Sequence, residues 1–251
     1  MEDNKIKLDK VYRSEIIAEQ SIIHYDNKCK KRPSWVKINL DKKIIFIKII
    51  FYDETFWYRR YFKDYFFPLN FTSEDYKNYY DEIAEYYESY VPQNKKMGKI
   101  VLDIFKENNI SKKSKILDLG AGTGFVTEAI VEEGYKNLTL LDISKNEVEI
   151  AKTKKSLKNC NFIIADITKE DIGSNYEVIF ETMVIDYFKG DKMPEILKKI
   201  KNALTEKGKF IVIDRHIFQE FDDFFKKIKS GKIPIETPEG IFDYYYYVGE
   251  K

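Results

Sequence analysis

The sequence predicts an α/β protein, a doubly wound and mostly parallel sheet preceded by a β-rich, aromatic extension. Three observations predict it. From residue 97 to 216, short apolar runs of strand length alternate with segments of helical periodicity, the order that a parallel sheet covered on both faces requires. Three of those strands carry an acidic residue at or near the tip: Asp118, Asp142 and Asp166. The first runs into three alternating glycines, Gly120, Gly122 and Gly124. At a strand-to-helix turn, glycines let the backbone approach a ligand with no Cβ in the way.

Residues 1–70 stand outside this pattern and form an N-terminal extension. Trp35–Leu40 and Lys43–Ile50 read as two strands around a tight turn at Asp41-Lys42. Val11–Tyr25 fits helix and strand equally well. Phe51–Phe67 is dense in aromatic residues, which must be covered because an exposed patch of that kind aggregates. Packing against the second domain, lining a substrate pocket and forming a dimer face all remain open.

Residues 71–251 form the second domain. Tyr76, Tyr79, Tyr80, Ile83, Ala84 and Tyr87 recur at helical spacing, and a second helix covers Met97–Glu107. The first core strand, Lys115–Leu119, leads through the glycines into a helix over Phe125–Glu133, closed by Gly134. Leu138–Leu141 is the next strand. Ser144 and Glu147 have the spacing of a capping box that opens a helix through Leu157. Asn161–Ala165 and Tyr176–Phe180 are strands, and Ile196, Leu197, Ile200, Ala203 and Leu204 mark one helix face, closed by Gly208. Lys209–Asp214 is the fifth strand. An aromatic amphipathic helix is expected over Ile217–Lys229 and a final strand over Phe242–Val248. Ile233-Pro-Ile235 is a poor strand because proline cannot donate to a ladder.

Composition narrows the function. The 251 residues carry a formal net charge of +1, so no basic field advertises a nucleic-acid partner. The charge is uneven: 15 basic and 10 acidic residues in 1–70, against 28 and 32 in 71–251. Two cysteines, Cys29 and Cys160, have no pairing pattern, which disfavours a disulfide framework or zinc site and fits a reducing compartment. No secretory signal is visible, and the longest apolar run, Ile44–Tyr52, is interrupted by Lys48 and far short of a membrane span. A soluble, cytoplasmic protein without a membrane span is expected.

The glycine turn and strand-tip acids describe a site for an adenosine-containing cofactor. An acidic residue at the tip of the second strand, such as Asp142, can take both hydroxyls of a ribose. A dinucleotide fold needs a third glycine three residues after the second, where Phe125 or Thr127 stands. The string Gly-x-x-x-x-Gly-Lys-Ser/Thr of a phosphate-binding loop does not occur. What remains is Asp118-x-Gly-x-Gly-x-Gly124, with Asp142 eighteen residues after the last glycine and Asp166 beyond it. This resembles the class I S-adenosylmethionine (SAM) dependent methyltransferases, whose fold is Rossmann-like. More narrowly, it resembles the small-molecule branch related to ubiquinone and menaquinone biosynthesis. The resemblance covers residues 76–216.

The resemblance implies SAM as cofactor and a set of residues around it. Gly120, Gly122 and Gly124 would pass beneath the methionine part, giving clearance and backbone amides, with the following helix N-terminus favouring the carboxylate. Asp118 would sit by the amino group, and Asp142 on the ribose hydroxyls with Ile143 on one adenine face. Asp166 would accept from the adenine amine, with Ile167 flanking the ring, though Asp166 also suits a simple turn. Tyr80 and Tyr87 lie on the helix that the family folds over the cofactor as a lid, where an aromatic face can attract the sulfonium. Glu181 follows the fourth strand, at the mouth where cofactor and acceptor meet.

The acceptor is not legible. Relatives often carry histidines after the fourth strand, where this chain has Asp186-Tyr187. The Asn/Asp-Pro-Pro-aromatic string of nucleic-acid amino-methylases is absent, which disfavours nucleic-acid modification. His216, at the tip of the fifth strand, is the best candidate base for an acceptor that must lose a proton; His24 is a weaker one. The leading expectation is methyl transfer to an oxygen, nitrogen or carbon of a small molecule, by a protein for which a homodimer is one option. Methylation of RNA or protein through residues 1–70, and a non-catalytic SAM-binding scaffold, are the alternatives.

Overall fold

A computed structural model describes residues 72–90, 94–188, 192–237 and 240–251. Tyr76–Glu88 and Pro92–Lys251 form one compact unit. The strand pair expected within 35–50, the segment 11–25 that fits helix and strand alike, and the aromatic run 51–67 lie outside the described residues. Helix α1 (Ser73–Ile83) passes through a 3-10 turn (Ala84–Tyr86) into α2 (Tyr87–Tyr90). Then follow α3 (Asn94–Glu107), β1 (Ile116–Leu119), α4 (Phe125–Glu132), β2 (Leu138–Asp142), α5 (Lys145–Thr153) and β3 (Asn161–Ile164). β4 (Tyr176–Thr182), α6 (Lys192–Ala203), β5 (Leu204–Asp214), α7 (Phe221–Phe224), β6 (Lys226–Thr237) and β7 (Gly240–Glu250) complete the unit.

The seven strands form one sheet in the order β3-β2-β1-β4-β5-β7-β6. β1 to β5 run parallel, and β7 pairs antiparallel with both β5 and β6. Every residue of β1 and β2 is buried, as expected of parallel strands covered on both faces. Successive side chains point to opposite faces, and each face has its own core. Ile116, Val178, Phe180, Ile211 and Ile213 join Met97, Val101 and Phe105 of α3 and Ile130 of α4. Leu117, Leu119, Ile179, Phe210 and Val212 join Ile196, Leu197 and Ile200 of α6.

The order reverses between β1 and β4: the chain winds out to β3, then returns to the far side of β1. A crevice opens at the carboxyl ends of the strands where the winding reverses, and ligands of open α/β sheets bind there. Asp118, Asp142, Glu181 and Asp214 stand on the four adjacent strands at this end.

Four details differ from the sequence-based expectations. Ile233-Pro-Ile235 is part of β6, with Pro234 opposite Asp243; β6 is the outer strand, where a missing donor costs the ladder little. The helix expected over Ile217–Lys229 shrinks to Phe221–Phe224, because the chain from Lys226 pairs with β7 from Glu250 back to Gly240. Phe221 and Phe225 still bury as the periodicity predicts. Gly208 does not close α6 with a left-handed turn; Lys207 takes φ 64° instead. A Cβ on Gly208 would meet the Thr205 carbonyl at 2.8 Å, so close approach explains this glycine. Finally, the capping box is half formed: Ser144 Oγ accepts from the Glu147 amide, while the Ser144 amide donates to Asp142 Oδ1.

Candidate cofactor and active site

The glycine turn is built by steric need. Gly120, Gly122 and Gly124 have φ of 74°, 55° and 75°, the left-handed region that side chains rarely adopt. Space adds a second constraint at all three, and a Cβ on Gly124 would run into Leu157. A Cβ on Gly120 would run into Val184, and one on Gly122 would lie 3.1 Å from Glu147 Oε2 and 3.7 Å from the Tyr87 ring. The turn is therefore sandwiched between the loop after β4 and the lid.

The turn's own amides are largely spent inside the protein. Gly120 and Ala121 donate to the Leu141 carbonyl at 2.8 and 3.0 Å, and Gly124 donates to Ala121 at 2.9 Å. Gly122 donates to Asp142 Oδ2 at 2.7 Å. The Gly120 and Gly122 amides thus hold the turn to β2, while that of Gly124 closes the turn on itself.

Two carboxyls flank the turn. Asp118 is 1% exposed. Its Oδ2 accepts from Thr127 Oγ1, and Oδ1 is buried with no hydrogen-bond partner. Burial, only partly offset by Thr127 and reinforced by Asp142, pushes its pKa up to about 7. Asp142 accepts from the Gly122 and Ser144 amides, and burial outweighs those bonds to push its pKa up to about 6. Ile143, next in the chain, is half-buried.

Asp166 lies past β3 and is nearly buried. Its Oδ1 accepts from the Thr168 amide and hydroxyl at 2.9 and 2.6 Å, and Lys169 Nζ lies 2.9 Å from Oδ2. It thus makes the turn bonds that its residue type suits. Ile167 is buried beside it. Lys199 of α6 donates to the Ile167 and Glu170 carbonyls at 2.5 and 2.8 Å, fixing this loop.

The loop after β4 hangs on two buried carboxylates. Glu181 and Asp214 are both 0% exposed. Glu181 Oε2 accepts from the Val184 and Ile185 amides at 2.7 and 3.1 Å, and Asp214 Oδ2 accepts from the Asp186 amide at 3.2 Å. Three successive amides are caught, and Met183 turns the chain with φ 66°. Burial, and then Asp214 beside it, hold the Glu181 carboxyl well above the usual range. Glu181 lies beneath the loop rather than at an open mouth.

The lid side meets this loop through tyrosines. Tyr80 Oη lies 2.5 Å from Tyr187 Oη, and the Tyr76 and Tyr187 rings are 4.6 Å apart. Tyr80 packs edge-on against Tyr87, which reaches Gly122. Asp81 Oδ1 accepts from Ser144 Oγ and the Asn146 amide at 2.8 and 2.9 Å. Glu88 Oε1 accepts from Thr123 Oγ1 at 2.8 Å and from Lys154 Nζ at 2.5 Å. His216 is exposed, its Nδ1 3.2 Å from Asp186 Oδ1.

The structure thus groups Tyr80, Tyr87, Asp118, Asp142 and the three glycines closely. It places Asp166 and Ile167 one strand further out and His216 beyond the β4 loop. Asp214 was missed although it obeys the same strand-tip signal as Asp142 and Asp166. Tyr187, Glu88 and Thr123 carried no local signal. Among the described residues, no lysine or arginine pairs with Asp118, Asp142 or Glu181. Uncompensated burial costs several kcal/mol per ion, so this crevice favours a cationic group and disfavours a phosphate. Cys160 is half-buried, and burial pushes its thiol up to about 11, which disfavours it as a nucleophile.

Comparison with known proteins agrees with this geometry. A family model described as a methyltransferase domain matches residues 110–238. A malonyl-[acyl-carrier protein] O-methyltransferase of Bacillus cereus is 30% identical over 159 residues, 61% of this chain and 58% of that protein. The chain therefore aligns with under two thirds of that relative's length. Among solved structures, TehB from Haemophilus influenzae superposes with a TM-score of 0.50 at 21% identity, covering 61% of this chain and 62% of that one. The [4+2]-cyclase SpnF superposes with a TM-score of 0.59 at 10% identity, covering 72% and 97%. At such identities the structural likeness speaks for the fold alone, and SpnF is named for a reaction other than methyl transfer.

Proposed function

The chain belongs to the methyltransferase domain family, and from that premise we propose that it transfers a methyl group from SAM to a small-molecule acceptor. The observation that carries this reading is the pair of buried carboxyls, Asp118 and Asp142, set against a glycine turn with no Cβ above it. SAM brings what they lack: an α-ammonium and a sulfonium, with a ribose whose hydroxyls donate to a carboxylate. Asp118 Oδ1 offers a vacant acceptor for the ammonium. Asp142, already bound to two amides, has lone pairs left for ribose hydroxyls. Tyr80 and Tyr87 close over the turn, Ile143 and Ile167 flank the adenine, and Asp166 meets its amine. When bound, SAM supplies an electrophilic methyl group. The protein supplies alignment and exclusion of water, which carry most of the acceleration in such in-line displacements.

The relatives named for a malonyl group on acyl-carrier protein widen the acceptor class to include a carrier-bound acyl chain. The near-neutral charge and the weak Cys160 nucleophile favour such acceptors over nucleic acid. No helix among the described residues is long and apolar enough to cross a membrane, and the two unpaired-in-sequence cysteines favour a cytoplasmic setting.

Calorimetric titration of the full chain with SAM and with S-adenosylhomocysteine tests the reading. Saturable binding of both is expected. Absence of binding by well-folded protein overturns it, and tight binding without turnover on any acceptor points to a scaffold instead.

A further inference from the structure

We propose that Asp186 is a positioning residue for His216, holding the imidazole so that Nε2 takes a proton from the acceptor, and that the acceptor is therefore a hydroxyl compound such as a phenol. The proposal rests on the methyl-transfer reading and narrows its substrate class.

The geometry is specific. His216 Nδ1 lies 3.2 and 3.3 Å from the two Asp186 oxygens. An ionised carboxylate only accepts, so Nδ1 carries the proton, and the neutral form of the ring then keeps its lone pair on Nε2. The carboxylate is not on a loose loop. The Asp186 amide is held by Asp214, the two preceding amides by Glu181, and the next residue, Tyr187, hydrogen bonds to Tyr80 of the lid. Helix α2, which begins at Tyr87, in turn touches the glycine turn through Glu88, whose Oε1 accepts from Thr123 Oγ1 at 2.8 Å. The imidazole thus stands at the end of a continuous set of contacts that begins beneath the proposed donor. The carboxyls packed against this pair are Asp214, whose Oδ2 accepts from the Asp186 amide, and Glu181 behind it.

A carboxylate acceptor has no proton to lose and gains nothing from such a pair, whereas a phenol near neutral pH does. In the step itself, the acceptor O–H bond breaks and its proton goes to Nε2. The oxygen pair forms the O–CH3 bond as the S–CH3 bond breaks, leaving its electrons on sulfur as a neutral thioether. The imidazolium then returns the proton to water.

The chain has only two histidines, which makes the pairing directly readable. Full-length protein labelled with 15N-histidine is compared as wild type, Asp186→Ala and Asp186→Asn, with His24→Gln assigning the remaining signal. The neutral ring of His216 is expected as the Nδ1–H form in wild type and displaced toward the Nε2–H form in Asp186→Ala. An identical tautomer in both overturns the positioning role. Asp186→Asn, closest in shape, gives a second variant should the alanine protein fail to fold; its activity is expected between wild type and His216→Asn. Transfer of labelled methyl from saturating SAM is then measured to phenols and to matched benzoic acids. The expected result is transfer to phenols, lowered about a hundredfold or more in His216→Asn at neutral pH and recovering as the pH rises through the phenol's own ionisation. Transfer to the benzoic acids alone, to neither, or unchanged by His216→Asn overturns the acceptor class. Failure to bind SAM by calorimetry would instead remove the donor reading, while the histidine spectrum still decides the pairing.

Discussion

The Gly122 amide donates to Asp142 Oδ2 at 2.7 Å, so the glycine turn and the tip of β2 are one hydrogen-bonded unit. The second oxygen of Asp142 accepts the Ser144 amide and fixes the start of α5. A single carboxylate therefore couples the turn under the proposed methionine end to the strand end under the proposed ribose. This explains why the spacing between the glycines and the acid is informative: the two must meet.

Asp142→Asn is expected to weaken SAM binding at least tenfold, about 1.4 kcal/mol, because the amide retains only one accepting oxygen for two backbone donors and the ribose. Asp142→Ala is expected to cost fold stability as well, about 1–3 kcal/mol, since two buried amides lose their acceptor. Calorimetry checks the first and urea unfolding the second. Unchanged affinity in Asp142→Asn removes the ribose assignment.

Stability is expected to fall with rising pH in the ligand-free protein. Asp118 and Asp142 titrate at about 7 and about 6 in the folded chain, against 3.8 for an ordinary aspartate. The folded chain thus holds protons that the unfolded chain has released between those limits, and stability is lost as pH rises through that window. A cationic ligand gains over the same range, because it meets carboxylates rather than acids. The melting temperature without ligand should drop between pH 5 and 8 while the shift produced by SAM grows. Asp118→Asn should flatten both trends. A ligand-free melting temperature that rises across this window contradicts the account.

What was legible in the sequence was local. The alternating glycines, Asp118 and the tips at Asp142 and Asp166 are defined by strand-to-turn order within a few residues, and the sheet assembled from them follows. What was not legible depends on long-range pairing. Tyr80 and Tyr187 are 107 positions apart yet share a hydrogen bond, and nothing near either announces the other. Glu88 accepts from Thr123, 35 positions further along the chain. Pro234 argued against a strand on local grounds, and the partner strand β7 overrode it at an edge. Ser144 and Glu147 read as a reciprocal cap, but Asp142 takes the Ser144 amide first. At Pro234 a tertiary partner displaced the local preference, and at Ser144 a nearer carboxylate did.

The lid is pinned to the turn at Glu88, whose Oε1 accepts from Thr123 and from Lys154. Lys154 also pairs with Glu128 of α4 at 2.7 Å, so the contact draws three segments together. Thr123→Val removes the neutral bond while keeping the shape. Hydrogen exchange of the amides at 84–90 should accelerate severalfold, and SAM should dissociate faster, with a loss of about 1 kcal/mol in affinity. Exchange as slow as wild type would show that the lid is held elsewhere.

Gly98 in α3 faces α4 at close range: an added Cβ would lie 2.7 Å from Ala129 Cβ and 3.0 Å from the Val126 carbonyl. In an open helix, glycine to alanine stabilises by roughly 0.5–1 kcal/mol. Here the clash is with backbone and a short side chain, neither of which can swing away, so the helices must separate. Overpacking of this kind typically costs about 1–3 kcal/mol, and Gly98→Ala is expected to destabilise despite its better helix propensity. Ala129→Gly removes the atom in the way, so the double variant should recover part of the loss. The coupling energy of that cycle, measured by urea unfolding, should therefore be stabilising and exceed the ~0.5 kcal/mol scatter of independent sites. Additive effects would mean that the two helices do not cross at this pair, and that the α3–α4 layer over β1 is built differently.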